Sequence, residues 1–181
     1  MIEIIEAIDA YTTAKYPQLD MKLWGFCELA HKTSTNQSDQ PIPMTAYGYQ
    51  ERKQVALDDR YDVITWMRWV NPLSHNINED WSFGRNEARE SSITVRIVVA
   101  HKVELGENFI FDFASGLPAR LNLTGFKYVF MDDGSPSIDP DHEAIYRTEL
   151  GKTVYEKHRI PWNLYTVDVT FNFIQCEELT P

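Results

Sequence analysis

The clearest pattern along the chain is a strict alternation of apolar and polar side chains near its end. From Tyr165 to Phe173 every odd-numbered residue is apolar and every even-numbered residue is polar. A period of two predicts a strand with one buried and one solvated face, which is typical of an antiparallel sheet. We therefore expect the odd-numbered side chains to be buried. The even-numbered face carries one acid, Asp168, and no base.

An N-terminal helix is predicted over residues 2–16. One stripe of this segment is apolar, and its charged side chains lie largely off that stripe. Pro17 ends the helix, because proline disfavours a helical conformation in the residue before it. A helix this short is marginal alone, so we expect its stripe to pack on a sheet. The stripe consists of Ile4, Ile5, Ile8 and Tyr11.

Two further short helices are predicted later in the chain. Residues 107–115 keep both strand-like and helix-like spacing, and we favour a helix. Residues at about 140–150 form the other helix, with Asp139 as its N-cap and Pro140 at its first position. Gly151 stands just past the end, where glycine commonly terminates a helix.

Four more segments have the composition of strands. Residues 61–70 are apolar on both faces, so this strand is expected to be central in a sheet or sandwiched between layers. A turn at residues 132–136 follows the last of the four. The four segments are 21–32, 61–70, 93–103 and 126–131.

The first of these strands contains a glycine that affects which side chains share a face. Regular alternation places Leu23 and Cys27 on one face and Trp24 and Phe26 on the other. Gly25, between them, is expected to mark a bulge or the close approach of another backbone.

Two polar stretches interrupt the predicted elements. Residues 33–42 and 71–91 are interpreted as long loops, the second of which equally suits an irregular hairpin. The chain of 181 residues fits one domain. The resulting prediction for residues 1–181 is an α+β domain. An antiparallel sheet or sandwich is packed by the N-terminal helix and by one or two further short helices.

Charge and cysteine content restrict the classes of function. A net charge of -10 gives a surface that repels nucleic-acid phosphates and anionic lipid, so a protein that grips DNA or RNA is disfavoured. Cys27 and Cys176 are far apart in sequence and do not indicate a disulfide framework. The N-terminus has no basic segment followed by an apolar run, and no apolar stretch is long enough to cross a bilayer, so no membrane partner is expected.

A cluster of acids is the main candidate for a metal site. Asp132, Asp133, Asp139 and Asp141 offer carboxylate oxygens, which hard cations prefer. The spacing of a calcium-binding loop is absent, and acids at a helix start complement the helix dipole, so capping is the favoured interpretation. We therefore assign no metal site, no cofactor and no catalytic residue.

Other residues with chemical potential have simpler structural interpretations. Cys27 and His31 lie four apart on a predicted strand, which keeps thiol and imidazole well separated. His101 is interpreted as a strand-edge or surface residue. The tryptophans are interpreted as core or interface residues rather than a base-stacking platform, because basic residues to accompany them are missing. They are Trp66, Trp69, Trp81 and Trp162.

The order of elements resembles that of the small head–tail connector and tail-terminator proteins of tailed bacteriophages. The residues that carry the resemblance are the stripe from Ile4 to Tyr11 before Pro17, and the alternating strand from Tyr165 to Phe173. Membership would imply a non-enzymatic virion subunit that forms a ring of identical copies and contacts other connector or tail proteins. DNA would pass through the ring without sequence-specific binding. Such a protein would be found in the virion and, during assembly, in the host cytoplasm.

Under this hypothesis the polar face around Asp168 is either exposed to solvent or forms the inner wall of the ring. Two alternatives stay open. One is a small-ligand- or metal-binding β-rich domain, hydrolytic in one version, that uses the acidic segment 132–143. The other is an intracellular protein-interaction module.

Overall fold

The computed structural model places the described residues in one mixed sheet with helices on both of its faces, which confirms an α+β fold. Statements about structure below refer to the described ranges. These are residues 2–34, 37–45, 54–70, 74–77, 88–122, 128–150 and 161–176.

Three helices and eight strands occur in these ranges. A short 3-10 turn, Val103–Leu105, leads from β5 toward α2. The helices are α1 (Ile2–Lys15), α2 (Asn108–Ser115) and α3 (His142–Leu150). The strands are β1 (Met21–Ser34), β2 (Gln37–Thr45), β3 (Val63–Trp69), β4 (Ser74–Ile77), β5 (Ala88–Lys102), β6 (Tyr128–Met131), β7 (Ser137–Asp139) and β8 (Trp162–Cys176).

Strands β5 and β8 form the centre of the sheet. They pair antiparallel over their whole length, from Ala88 opposite Cys176 to Lys102 opposite Trp162. The strand order is β2-β1-β3-β5-β8-β6, with β4 beside β5 and β7 beside β8. All described pairs are antiparallel except β1 with β3, which is parallel. The alternating segment at the end of the chain is therefore a central strand.

One face of the sheet, the α1/α2 face, is covered by α1 and α2. Its core joins Ile4 and Ile8 of α1 and Phe113 of α2 to the odd-numbered side chains of β5 and β8. The predicted burial of β8 is confirmed, because all five odd-numbered side chains from Tyr165 to Phe173 are buried. At about 1.5–3 kcal/mol each, their burial contributes roughly 10 kcal/mol before entropy is subtracted.

The opposite face, the α3 face, is covered over part of its length by α3. Ile145, Tyr146 and Leu150 of this helix pack against buried side chains of four strands. The strand residues in this cluster are Cys27, Ile64, Trp66, Val98, Ala100, Trp162 and Leu164. The expectation that the even-numbered face of β8 is solvated is therefore wrong for Thr166, which is buried. It lies next to the part of the sheet that α3 covers.

The bulge expected in β1 is present and changes the assignment of faces. Gly25 has φ +72°, a left-handed conformation that glycine adopts without strain. The pairing of β1 with β3 shifts register between Leu23 and Phe26. As a result Leu23 and Phe26 both face the α1/α2 side, and Trp24 and Cys27 both face the α3 side. The faces predicted from regular alternation are therefore wrong.

Both predicted loops contain strand instead. Residues 33–42 belong largely to the antiparallel pair of β1 and β2, with Lys32 opposite Gln40. Pro41 and Pro43 lie in β2, beyond which no described strand pairs; proline is tolerated there because an edge strand does not need every N–H. In the second predicted loop, residues 71–91, β4 pairs with β5, as expected for the irregular hairpin that was the alternative prediction.

The two later helices agree with the predicted positions except at one cap. Residues Asn108–Ser115 form α2, as favoured. The N-cap of α3 is Asp141, whose Oδ1 accepts a hydrogen bond from the amide of Ala144 at 3.0 Å. Asp139 lies two residues earlier and accepts from the amide of Asp141 at 2.9 Å, so its assignment as N-cap is wrong. The placement of Pro140 at the first helical position is also wrong, because α3 begins at His142. The short strand β7, directly before α3, was not predicted.

Candidate functional site

The main concentration of charge within the described sheet is a row of side chains on the α3 face. Arg68 of β3 lies opposite Arg96 of β5, and Arg96 lies opposite Asp168 of β8. Glu149 reaches this row from α3 and pairs with Arg68. We call these four residues the charge row. The charge row lies at the boundary between the apolar side chains that α3 covers and the polar part of the same face.

Within the charge row, Arg96 and Asp168 form a two-pronged ion pair. The Nε and Nη2 atoms of Arg96 each donate to one oxygen of Asp168, both at 2.7 Å. Both side chains are 27% exposed. The hydrogen bonds to Asp168 raise the pKa of Arg96. This parallel geometry is the strongest form of an arginine–carboxylate contact and fixes both side chains.

Arg68 and Glu149 form a less complete pair. Arg68 Nη2 donates to Glu149 Oε1, while Glu149 Oε2 and Arg68 Nε are buried and have no hydrogen-bond partner among the described residues. The Glu149 side chain is 0% exposed and that of Arg68 is 22% exposed. Burial raises the pKa of Glu149, and attraction to Arg68 and Arg96 opposes that rise. The Glu149 side chain is buried between its own helix, α3, and the sheet, so no substrate reaches it in this conformation.

Beyond the charge row the α3 face is polar and internally bonded. The Oγ1 atoms of Thr94 and Thr170 lie 2.9 Å apart. The amide of Thr170 donates to Ser135 Oγ at 3.0 Å, and Asn172 Nδ2 donates to Asp132 Oδ1 at 3.1 Å. The first contact joins β5 to β8, and the other two bonds join the β6–β7 connection to β8. They satisfy polar groups within the chain and do not combine a nucleophile with a base.

The four candidate metal-ligating acids are divided between two places. Asp132 and Asp133 lie in the turn after β6, where Asp132 accepts from Asn172. Asp139 and Asp141 lie at the start of α3, where their carboxylates accept backbone amides. Within the described ranges, no group of three or more histidine, cysteine, aspartate or glutamate side chains is arranged to hold a metal ion.

His101 lies inside the molecule, so its interpretation as an edge or surface residue is wrong. Its ring is fully buried and stacks on Tyr165, with centroids 5.4 Å apart and an interplanar angle of 4°. Nδ1 lies 2.9 Å from the carbonyl oxygen of Lys102, so this nitrogen carries the proton. Nε2 is buried, and no described residue forms a hydrogen bond with it. Burial lowers the pKa of His101 and keeps it neutral.

The remaining candidates are buried in the core. Burial raises the pKa of the Cys27 thiol to about 12, with a smaller contribution from the charge of Glu149. A thiol with such a pKa is not a nucleophile at neutral pH. Trp66 and Trp162 are fully buried, as expected of core residues. Trp81 lies outside the described ranges.

A second polar cluster joins α1 to α2. Lys15 Nζ lies 3.0 Å from Asp112 Oδ2 and 2.6 Å from the Asp112 carbonyl oxygen. Tyr16 donates to the same carboxylate at 2.6 Å. Burial lowers the pKa of Lys15, but hydrogen bonds to Tyr11, Asp112 and Tyr16 outweigh it and raise the pKa overall. Burial and the hydrogen bond to Asp112 raise the pKa of Tyr16.

This second cluster is therefore structural rather than catalytic. A lysine with a raised pKa stays protonated and a tyrosine with a raised pKa stays neutral, so neither supplies a base or a nucleophile. Gly116 makes the contact possible, because a Cβ built there lies 1.9 Å from Tyr11 Oη and 2.5 Å from Lys15 Nζ. Tyr11 Oη donates to the carbonyl of Phe113 at 3.2 Å.

The sequence interpretation missed Arg68 and Glu149. One signal was present: Glu149 follows Ile145 by four residues and Tyr146 by three, so it lies on the apolar stripe of its helix. An acid on a buried stripe needs a basic partner, but its identity depends on how the strands pair.

No protein-family model matches the sequence, and no curated protein matches it. Among the described residues, no helix is long and apolar enough to cross a membrane.

Proposed function

We propose that this chain is a non-enzymatic structural subunit of a homo-oligomeric ring in the head–tail connector or tail terminator of a tailed bacteriophage. The order of elements supports the proposal, because an amphipathic helix, a sheet, a short helix and a long alternating strand follow one another. In this role the ring lines or seals the channel through which DNA passes. Its partners are further copies of the chain and other connector or tail proteins.

The distribution of charge is the observation that carries the proposal. Most of the basic side chains in the described part of the chain are paired with an acid of the same chain. These pairs are Lys15–Asp112, Arg60–Asp58, Arg68–Glu149, Arg96–Asp168, Lys102–Asp62 and Arg147–Glu143. Exposed acids that pair with no described base include Asp20, Asp59, Glu104, Glu107, Asp132 and Asp133.

Several of these acids gather at one end of the sheet. Asp20 directly precedes β1, Asp59 lies in the turn before β3, and Glu104 follows β5. The starts of β1 and β3 and the end of β5 are adjacent in the register. This acidic end repels phosphates, so DNA passes it without adhering. We assign it to the wall of the channel.

The described sheet edges favour ring contacts through faces and loops rather than through added strands. Strand β2 carries Pro41 and Pro43, which cannot donate backbone hydrogen bonds to a further strand. On the outer side of β6, the amide of Leu121 donates to the carbonyl of Val129 and the amide of Met131 donates to the carbonyl of Ala119. Both features discourage edge-to-edge pairing between subunits.

The test is the oligomeric state, measured by light scattering after size-exclusion chromatography together with electron microscopy. The proposal predicts a closed ring of defined mass, formed by the chain alone or after it is mixed with the neighbouring ring protein. A strict monomer that forms no ring under either condition contradicts the proposal. Portal, capsid and tail genes beside the coding sequence would support this class of function over an interaction module.

A further inference from the structure

Helices α2 and α3 have similar lengths but are attached to the sheet differently. Four side chains of α2 are buried, and all are apolar: Phe109, Ile110, Phe113 and Ala114. Four side chains of α3 are also buried, namely Ile145, Tyr146, Glu149 and Leu150. One of the four buried side chains of α3 is therefore a carboxylate.

The pair made by Glu149 is poorly suited to hold a helix. Removing a carboxylate from water is costly, and an ion pair offsets that cost only when the remaining polar atoms are also bonded. Glu149 Oε2 and Arg68 Nε are both buried, and neither has a hydrogen-bond partner in the described part of the chain. The neighbouring pair of Arg96 and Asp168 shows that a two-pronged fit is attainable on the same face.

The two ends of α3 differ as well. At the N-terminal end, His142 Nδ1 donates to the carbonyl of Leu164, and the His142 ring packs edge-on against Tyr165 with centroids 4.6 Å apart. The cap made by Asp141 fixes the same end. Glu149 and Leu150 lie at the other end. The well-bonded end is thus fixed to β8, and the poorly satisfied ion pair lies at the far end.

We propose that α3 is a releasable cover of the sheet that opens from its C-terminal end and pivots about His142. Opening exposes Trp66, Trp162 and Cys27 and separates Arg68 from Glu149. The buried ion pair makes the closed state less stable than an all-apolar contact would. This local transition is independent of the proposed ring, so the two proposals succeed or fail separately.

Cys27 supplies a direct probe of the transition. Its side chain is 2% exposed within the cluster that α3 covers, and its thiol has a raised pKa, so it is unreactive while α3 is closed. In a Cys176→Ser background, reaction of Cys27 with 5,5′-dithiobis(2-nitrobenzoate) reports opening. In this Cys176→Ser parent, Cys27 is expected to react at least tenfold faster than the chain unfolds globally. The rate of global unfolding is measured by tryptophan fluorescence.

Two variants test the role of the ion pair. In Arg68→Met/Glu149→Leu the buried charges are replaced by apolar groups, and Cys27 should react about tenfold more slowly than in the Cys176→Ser parent. Arg147→Ala is the matched control, because it removes the exposed pair with Glu143 on the same helix, and the rate should change less than twofold.

Two results would overturn the proposal. One is a double variant whose Cys27 reacts as fast as the parent or faster, since the ion pair would then hold α3 firmly. The other is a parent whose Cys27 reacts only at the rate of global unfolding, since α3 would then not open on its own. The second comparison needs no variant at the ion pair, so it decides the question even if the double variant fails to fold.

Discussion

The two faces of the sheet are built on different principles. The α1/α2 face is a largely apolar core that also buries the ring of His101, and its ion pair of Lys15 and Asp112 lies at the rim, where both side chains are partly exposed. The α3 face places Arg68 and Glu149 beside apolar side chains, and two of their polar atoms find no hydrogen-bond partner within the described ranges. Under the proposed release of α3, one sheet combines a face that secures the fold with a face that rearranges.

The largest expected effect is on the α1/α2 face. Phe113→Ala removes a fully buried ring from the centre of the core and should lower the free energy of unfolding by about 4 kcal/mol. Phe111→Ala is the matched control on the same helix, because Phe111 is 59% exposed, and it should change stability little. Urea denaturation measures both. Equal losses would show that α2 is not attached as described.

The next largest loss of stability is expected for variants in the charge row. Arg68→Met leaves the Glu149 carboxylate buried without its base and should cost about 3 kcal/mol of unfolding free energy. Replacing both partners, as in Arg68→Met/Glu149→Leu, should recover most or all of that loss. A double variant no more stable than Arg68→Met would mean that the ion pair itself stabilises the fold. Thermal and urea unfolding of the three proteins provide the comparison.

A smaller effect is expected where α1 meets α2. Gly116→Ala places a methyl group against Tyr11 and Lys15 and should lower stability by about 1–2 kcal/mol, because these side chains must move. Gly134→Ala is the control, since no atom of the described residues lies within 4 Å of a Cβ built there. If both alanine variants unfold at the same urea concentration, the close approach at Gly116 is not required.

The lowered pKa of His101 should be visible in the pH dependence of stability. Its folded-state pKa lies below the ordinary value of 6.5, because burial disfavours the charged ring. As the pH falls, the imidazole of His101 is protonated in the unfolded state before it is protonated in the folded state. The contribution of the neutral ring to the free energy of unfolding is therefore fully present above pH 6.5 and is lost below it. Stability should therefore fall more steeply from pH 7 to 5 in the wild type than in His101→Phe. Parallel profiles would contradict this assignment.

The smallest expected effect is that of divalent cations. The carboxylates of Asp139 and Asp141 accept backbone amides, and that of Asp132 accepts from Asn172. Calcium, magnesium or a chelator should therefore leave the melting temperature within about 1 °C of its starting value. A clear rise with calcium or magnesium, reversed by the chelator, would favour the metal-binding alternative for residues 132–143.

The sequence allowed prediction of those elements whose determinants are local. The burial of the odd-numbered side chains from Tyr165 to Phe173 followed from alternation alone. Helix α1 followed from its apolar stripe and from the proline after it. Residues 33–42 of the β1–β2 hairpin were predicted to be a loop because polar residues and prolines resemble a turn, although an edge strand tolerates both. Local composition does not show which strands are at the edge.

The charge row was missed for a related reason. Asp168 was assigned to a face without a base, yet its base, Arg96, comes from the neighbouring strand. That pairing depends on the register of β5 against β8, which alternation within one strand does not determine. The bulge at Gly25 was anticipated, but its consequence for Trp24 and Phe26 required the observed register shift.

Hydrogen exchange of the intact chain, followed by mass spectrometry, tests the difference between the two faces most directly. The account predicts that α1 and α2 amides exchange only with global unfolding, whereas those in the C-terminal half of α3 exchange through local opening at least tenfold faster. Equal protection of α2 and α3, with both set by global unfolding, would contradict it.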